Sequence, residues 1–148
     1  MAKKRPAGFT LLEILLVLAI GAAAYVAVLG VPGRGISSAE LKSSARVLAS
    51  GLRTAQATAM ATRRDALLTL DLDSHDFEVP GAMPPRHLPD KLDLKLYTAQ
   101  SEVASEKRGS IRFYPDGSST GGRITVSSGK RQYLVDVDWL TGKVTIED

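Results

Sequence analysis

The chain changes its hydrophobic rhythm twice. From Leu11 to Val31 it is apolar or small apart from the carboxylate of Glu13. At about 1.5 Å per helical residue those positions reach about 31 Å, close to the ~30 Å hydrocarbon core of a bilayer. A cluster of helix breakers follows, Gly30-Val31-Pro32-Gly33-Arg34-Gly35, and predicts a kink or short melted neck. From Ser37 to about Arg64 the apolar residues Leu41, Ala45, Leu48, Leu52, Ala55 and Ala59 recur at spacings of four and three. That is one face of an amphipathic helix. Ser37 and Ser38 offer an N-cap and Glu40 suits the first turn, while Lys42, Arg46, Arg53, Gln56 and Arg63 fall on the opposite side.

After Asp65 the period becomes two. Ala66, Leu68, Leu70 and Leu72 alternate with Leu67, Thr69, Asp71 and Asp73, the pattern of a half-buried strand. Asp76 to Val79 returns as the second arm of a hairpin, and Leu92, Leu94 and Leu96 mark the next strand. Ile111–Tyr114, Arg123–Val126, Gln132–Asp138 and Lys143–Ile146 follow, separated by turn residues. Pro80 to Pro89 and Ala99 to Gly109 read as loops. Tyr133, Val135, Val137 and Trp139 are expected to share one apolar face, with Asp136 and Asp138 on the other. One long helix followed by an antiparallel meander of about six or seven strands is an α+β arrangement, the helix covering a sheet face.

Glu13 is the chemical anomaly. A carboxylate inside a membrane span costs about 2.5–3.5 kcal/mol on insertion scales, so it usually has a partner or a task. No Lys, Arg or His lies between Phe9 and Val31. A new α-amino group on Phe9, made by cutting after Gly8, would supply the missing cation, on the same helix or on a neighbour's. A carboxylate that merely snorkels to the headgroups is the plainer alternative. Lys3, Lys4 and Arg5 before the span keep the N-terminus cytoplasmic by the positive-inside bias.

The stretch Gly8-Phe9-Thr10-Leu11-Leu12-Glu13, after a short basic leader and before some twenty apolar residues, resembles the class III signal of type IV pilins and type II secretion pseudopilins. The resemblance implies cleavage between Gly8 and Phe9 by a prepilin peptidase, N-methylation of Phe9, and an assembly role for Glu13. It divides the chain into a leader at 1–8, a transmembrane helix at 9–31, a neck at 32–36 and a pilin-like head at 37–148. The head then holds a helix at 37–64 and strands over 66–148. An ordinary signal peptide cut near Gly21-Ala22-Ala23-Ala24 is the rival, but the apolar run continues to Leu29 and Glu13 would interrupt its core.

Further along, Arg112 to Gly122 and Val135 to Gly142 look like the C-terminal half of the minor pseudopilin family called general secretion pathway protein H. The helix from Leu41 to Arg64 running into Ala66–Asp71 is similar too. That likeness implies a structural subunit near the tip of the periplasmic pseudopilus, aiding export of folded proteins through the outer membrane. The implied partners are the other minor pseudopilins of the tip complex, the major pseudopilin, the prepilin peptidase and the inner-membrane assembly platform. Implied, too, is a single-pass protein of the bacterial inner membrane with a periplasmic head. Ser118, Ser119, Thr120, Gly121 and Gly122 are expected to form an exposed loop that selects neighbours.

Composition narrows the alternatives. The net charge of +3 comes from the leader, because removing Lys3, Lys4 and Arg5 leaves 16 basic against 16 acidic side chains. A minor type IV pilin of pilus assembly or DNA uptake is the alternative, and binding DNA would need a basic patch, for which Arg46, Arg53, Arg63 and Arg64 are the candidates. The near-neutral mature chain argues against nucleic acid as a partner. With no cysteine there is neither a disulfide nor a thiolate metal site. Gly117-Ser118-Ser119-Thr120-Gly121 matches G-x-S-x-G, but a strand follows it, and both histidines, His75 and His87, lie upstream. Asp71, Asp73 and Asp76 break the order of a calcium loop at His75. No enzyme, cofactor or metal is expected.

Overall fold

The computed structural model describes residues 9–29 and 36–148, with backbone alone at 26–29. The chain divides into two units, Met1–Arg34 and Gly35–Asp148. Lys3, Lys4, Arg5, Gly8 and the breaker cluster at 30–35 lie outside the described residues.

In the first unit α1 runs Leu11–Leu29. Thr10 starts it: its Oγ1 accepts the Glu13 N–H at 3.2 Å, and its carbonyl accepts the same N–H at 3.0 Å and that of Ile14 at 3.2 Å. The segment Thr10-Leu11-Leu12-Glu13 is thus the threonine half of a capping box. Every side chain from Phe9 to Tyr25 is exposed.

In the second unit α2 runs Ser38–Thr62, with Ser37 as N-cap and Arg63 closing it in the left-handed region at φ 54°. The Glu40 N–H donates to Ser37 Oγ at 3.1 Å, which satisfies one of the orphan donors of the first turn. The expected stripe is buried in full, from Leu41 through Ala45, Leu48, Leu52 and Ala55 to Ala59. Burying a leucine such as Leu48 or Leu52 contributes about 1.5–3 kcal/mol. The small alanines let β-strands approach the helix backbone. Gly51 carries this furthest: a Cβ there would lie 2.9 Å from both Leu68 Cδ1 and Phe77 Cε2.

Among the described residues nine strands form two antiparallel sheets, where six or seven strands were expected. The first has the order β3-β2-β1-β6-β5: β1 (Ala66–Asp71), β2 (Asp76–Val79), β3 (Met83–His87), β5 (Val103–Ser105) and β6 (Arg108–Phe113). The second has the order β4-β7-β8-β9: β4 (Asp93–Thr98), β7 (Gly122–Ser128), β8 (Arg131–Val137) and β9 (Val144–Glu147). Helix α2 packs against β1, β2 and β6 of the first and β7, β8 and β9 of the second. Leu68 pairs with Ile111 in one sheet, while Leu96, Ile124, Val135 and Ile146 align across the other. The strands are therefore not one continuous meander, because β4 leaves the first sheet to edge the second.

Three local expectations change. The proline-rich stretch 80–89 contains β3, which is possible because β3 is an edge strand. Its register shifts between Phe77 and Val79 of β2, and Pro84 and Pro85 fall in that irregularity. The polar stretch 99–109 contains a 3-10 turn at Gln100–Glu102, the short edge strand β5 and the start of β6. Trp139 is 65% exposed and does not join the apolar face of Tyr133, Val135 and Val137. Strand β8 ends at Val137 because Asp138 turns the chain: its Oδ1 accepts the N–H groups of Leu140 and Thr141 and the Thr141 hydroxyl.

Candidate functional site

Two regions hold the residues singled out in the sequence. In the first, Phe9 and Glu13 flank the cap of α1. Phe9 is 78% exposed. The Glu13 carboxylate is exposed in the first turn, where the helix dipole favours a negative charge. Among the described residues it has no ion-pair partner. Around it Leu11, Leu12, Ile14, Leu15 and Leu16 offer apolar surface on every side of the helix. This arrangement performs no reaction; it presents one carboxylate on an otherwise oily cylinder. The capping relation between Thr10 and Glu13 escaped the sequence reading, although the Thr-x-x-Glu spacing before an apolar run is its signal.

The second region is the Ser118–Gly122 loop. It is not the exposed loop that was expected: Ser119 and Gly121 are buried and Ser118, Thr120 and Gly122 half-buried. Strand β6 supplies the reason. The Arg112 carbonyl accepts the Ser119 hydroxyl at 2.8 Å and the Thr120 N–H at 3.0 Å, and the Arg112 N–H donates to Thr120 Oγ1 at 3.1 Å. The Arg112 side chain is clamped in turn by Glu102, with Nε to Oε1 at 3.0 Å and Nη2 to Oε2 at 3.2 Å, and by Asp65 at 3.6 Å. These charge-assisted bonds hold the guanidinium pKa above its ordinary value, the Glu102 hydrogen bond most of all. Ser119 Oγ accepts the Gly121 N–H at 3.0 Å, and the Ser119 N–H donates to the Trp139 carbonyl at 2.8 Å. Both functions of the Ser119 hydroxyl are therefore spent on main chain. At the loop's entrance Asp116 accepts the Ser118 hydroxyl at 2.6 Å and its N–H at 3.0 Å, which lowers the carboxyl pKa.

The other candidate groups are tied down in the same way. Asp71 Oδ1 accepts the N–H groups of Asp73 and Ser74, Asp73 pairs with Lys107 at 2.9 Å, and Asp76 pairs with His87 at 3.0 Å. His75 Nδ1 lies 3.1 Å from the Pro89 carbonyl. Among the described residues no group of three His, Asp or Glu side chains could hold a metal ion.

The sequence pattern of the Type II transport protein GspH family matches residues 44–142, and that of the prokaryotic N-terminal methylation motif matches residues 3–29. Type II secretion system protein H of Xanthomonas campestris pv. campestris is 33% identical over 146 residues, covering 97% of this chain and 85% of its own. The chain belongs to the GspH family. It is a minor pseudopilin of type II secretion, a structural subunit and not an enzyme. Two solved structures share its fold. The minor pseudopilin EpsH of the Vibrio cholerae type II secretion system superposes with a TM-score of 0.58 at 15% identity, covering 73% of this chain and 96% of that one. The type IV minor pilin FimU of Pseudomonas aeruginosa gives 0.58 at 15% identity, covering 74% and 89%. The α+β, pilin-like fold read from the sequence is the one observed.

Proposed function

We propose that this pseudopilin is a single-pass subunit near the tip of the periplasmic pseudopilus, held in the inner membrane by α1 until it enters the filament. The observation that carries this reading is the joint match of the N-terminal methylation motif and the GspH pattern on one chain. Among the described residues no helix is long and apolar enough to cross a membrane. The stretch Leu11–Tyr25, whose side chains are described, spans about 22 Å at 1.5 Å per residue, short of the ~30 Å core. The anchor therefore rests on the sequence continuing apolar through Val31.

In this reading the peptidase cuts between Gly8 and Phe9 and Phe9 is N-methylated. The new amine is a cation close to the start of α1. Glu13 of a neighbouring subunit meets it during assembly, so the carboxylate gains its partner as the apolar helices bundle. The residues Ser118 to Gly122, locked as they are, serve this process by shaping the surface beside them. Their neighbours in the filament are other pseudopilins, with the minor tip subunits on one side and the major pseudopilin on the other.

Co-purification of the full chain in mild detergent with the pseudopilins of its own cell tests the proposal. Recovery of minor tip pseudopilins, with no DNA bound at moderate salt, is the expected result. Recovery of type IV pilus subunits, or DNA binding that falls steeply with salt, would move the protein to the uptake machinery.

A further inference from the structure

We infer that His87 is a proton-operated clip on the chain's first passage between the two sheets, closed when its ring is charged and loosened when it is neutral. That passage, residues 88–92, runs from the end of β3 to the start of β4. It is short and tethered at several points. Leu88 and Leu92 are buried, at 2% and 3% exposure. The Leu88 N–H donates to the His75 carbonyl at 2.9 Å, and the Pro89 carbonyl accepts the Leu92 N–H at 3.1 Å. Both histidines of the chain converge here. His75 Nδ1 lies 3.1 Å from the Pro89 carbonyl, a bond that a neutral or a charged ring can donate.

His87 differs, because each of its ring nitrogens faces a carboxylate. Nδ1 is 3.0 Å from Asp76 Oδ1 on β2, and Nε2 is 3.0 Å from Asp90 Oδ1 in the passage. A neutral imidazole has one N–H and one lone pair; only the imidazolium donates from both nitrogens. Loss of the proton therefore sets a lone pair against a carboxylate oxygen, and one of the two contacts opens. Asp76 belongs to a strand, stands opposite His87 in the β2–β3 register, and is 46% exposed. Asp90 belongs to a turn and is 85% exposed. Asp90 is thus the side that lets go, and its release frees the turn that holds Leu92.

The other charges of this region are engaged elsewhere or stand apart from the ring. Asp71 accepts the Asp73 and Ser74 N–H groups, Asp73 pairs with Lys107 at 2.9 Å, and Glu78 pairs with Arg108 at 3.5 Å. Arg86 and Lys91, beside His87 and Asp90 in sequence, take part in none of the ion pairs among the described residues. The Asp76 hydrogen bond above all, and then the nearby charges of Asp90 and Asp76, raise the His87 pKa. The clip is therefore fully closed below the unfolded value of about 6.5 and is lost as pH rises through the folded value. Its contacts are exposed, so the effect is local: a loosened turn and not an unfolded head. Both sides of the clip lie within the head, so it stands or falls apart from the anchor and assembly reading.

The test is amide hydrogen exchange of the full chain in detergent, read by NMR at Leu88 and Leu92 and corrected for the intrinsic exchange rate at each pH. From about pH 5.5 to about pH 8.5, wild-type protection of the Leu92 amide is expected to fall about three- to tenfold. His87→Gln, which cannot titrate, is expected to show equal protection at both ends, and Asp90→Asn to lose most of the pH dependence. Unchanged wild-type protection, or the same fall in wild type and His87→Gln, would overturn the inference. The ring nitrogens of wild type give a second readout that needs no variant to fold. Both are expected to carry a proton at low pH, and the neutral ring to keep its proton on Nδ1, toward Asp76. A neutral ring protonated on Nε2 would refute the assignment of Asp90 as the releasing side.

Discussion

Helices α1 and α2 begin with the same chemistry and end in opposite environments. Each opens on a hydroxyl residue followed three positions later by glutamate, Thr10 to Glu13 and Ser37 to Glu40, with the glutamate N–H donating to the hydroxyl at 3.2 and 3.1 Å. Beyond that turn they diverge. In α2 the leucines and most alanines keep to one stripe and are buried, while Lys42 and Arg46 stay exposed. In α1 the apolar residues go all the way round, and the described ones are exposed. A cap starts a helix whatever its destination; the distribution of apolar residues around the axis decides what must cover it. The surface of α2 is covered by its own sheets. That of α1 calls for lipid or for the helices of other subunits.

The largest effect that would sharpen this contrast is a cavity under α2. Leu48→Ala is expected to lower the head's unfolding free energy by about 2–5 kcal/mol, whereas Leu16→Ala in α1 leaves it unchanged. Chemical denaturation of the full chain in detergent, followed by circular dichroism, reads both. Equal effects would mean that α1 contributes to the head's core.

A smaller effect is set by two opposing terms at Gly51. Alanine gains about 1 kcal/mol of helix propensity, but its Cβ meets the Leu68 and Phe77 side chains at 2.9 Å. Overpacking of about 1–3 kcal/mol wins, so Gly51→Ala should lower the melting temperature; a rise would show that the sheet yields freely. Smaller still, Ser37→Ala should cost about 1 kcal/mol through loss of the α2 cap, measured by the same denaturation.

The least effect concerns the edge strand β3. His87 sits between Asp76 and Asp90, both at 3.0 Å, and the Asp76 hydrogen bond above all raises its pKa. A raised folded-state pKa contributes stability that is fully present below the unfolded value of about 6.5. It is lost as pH rises through the folded value. The melting temperature of wild type should therefore fall slightly relative to His87→Gln as pH climbs above that unfolded value, and parallel curves would deny His87 the role.

What was legible in the sequence was whatever a local period could encode. The buried face of α2 and the alternation of β1 follow from residue spacing alone. The division of the strands between two sheets does not, because nothing in the alternation of Leu92, Leu94 and Leu96 says that β4 pairs with β7 and not with a first-sheet strand. Strand β3 was hidden by Pro84 and Pro85, which an edge position tolerates. Trp139 was misplaced by extending the alternation of β8 one step beyond Val137, past an aspartate whose turn chemistry ends the strand. The Ser118–Gly122 loop looked exposed because it is rich in serine and glycine. The Ser119 and Thr120 hydroxyls instead pair with the Arg112 main chain, and burial follows from that pairing.

On the proposed reading, α1 anchors the chain and Glu13 serves assembly and not insertion. Glu13→Leu separates the two, since removing the charge eases entry into lipid while removing the partner for a neighbour's amine. The most direct measurement is membrane fractionation of wild type and Glu13→Leu, followed by co-purification with pseudopilins from detergent. Both chains should partition to the membrane, and only wild type should bring the other subunits with it. Normal co-purification of Glu13→Leu, or wild type recovered in the soluble fraction, would contradict the account.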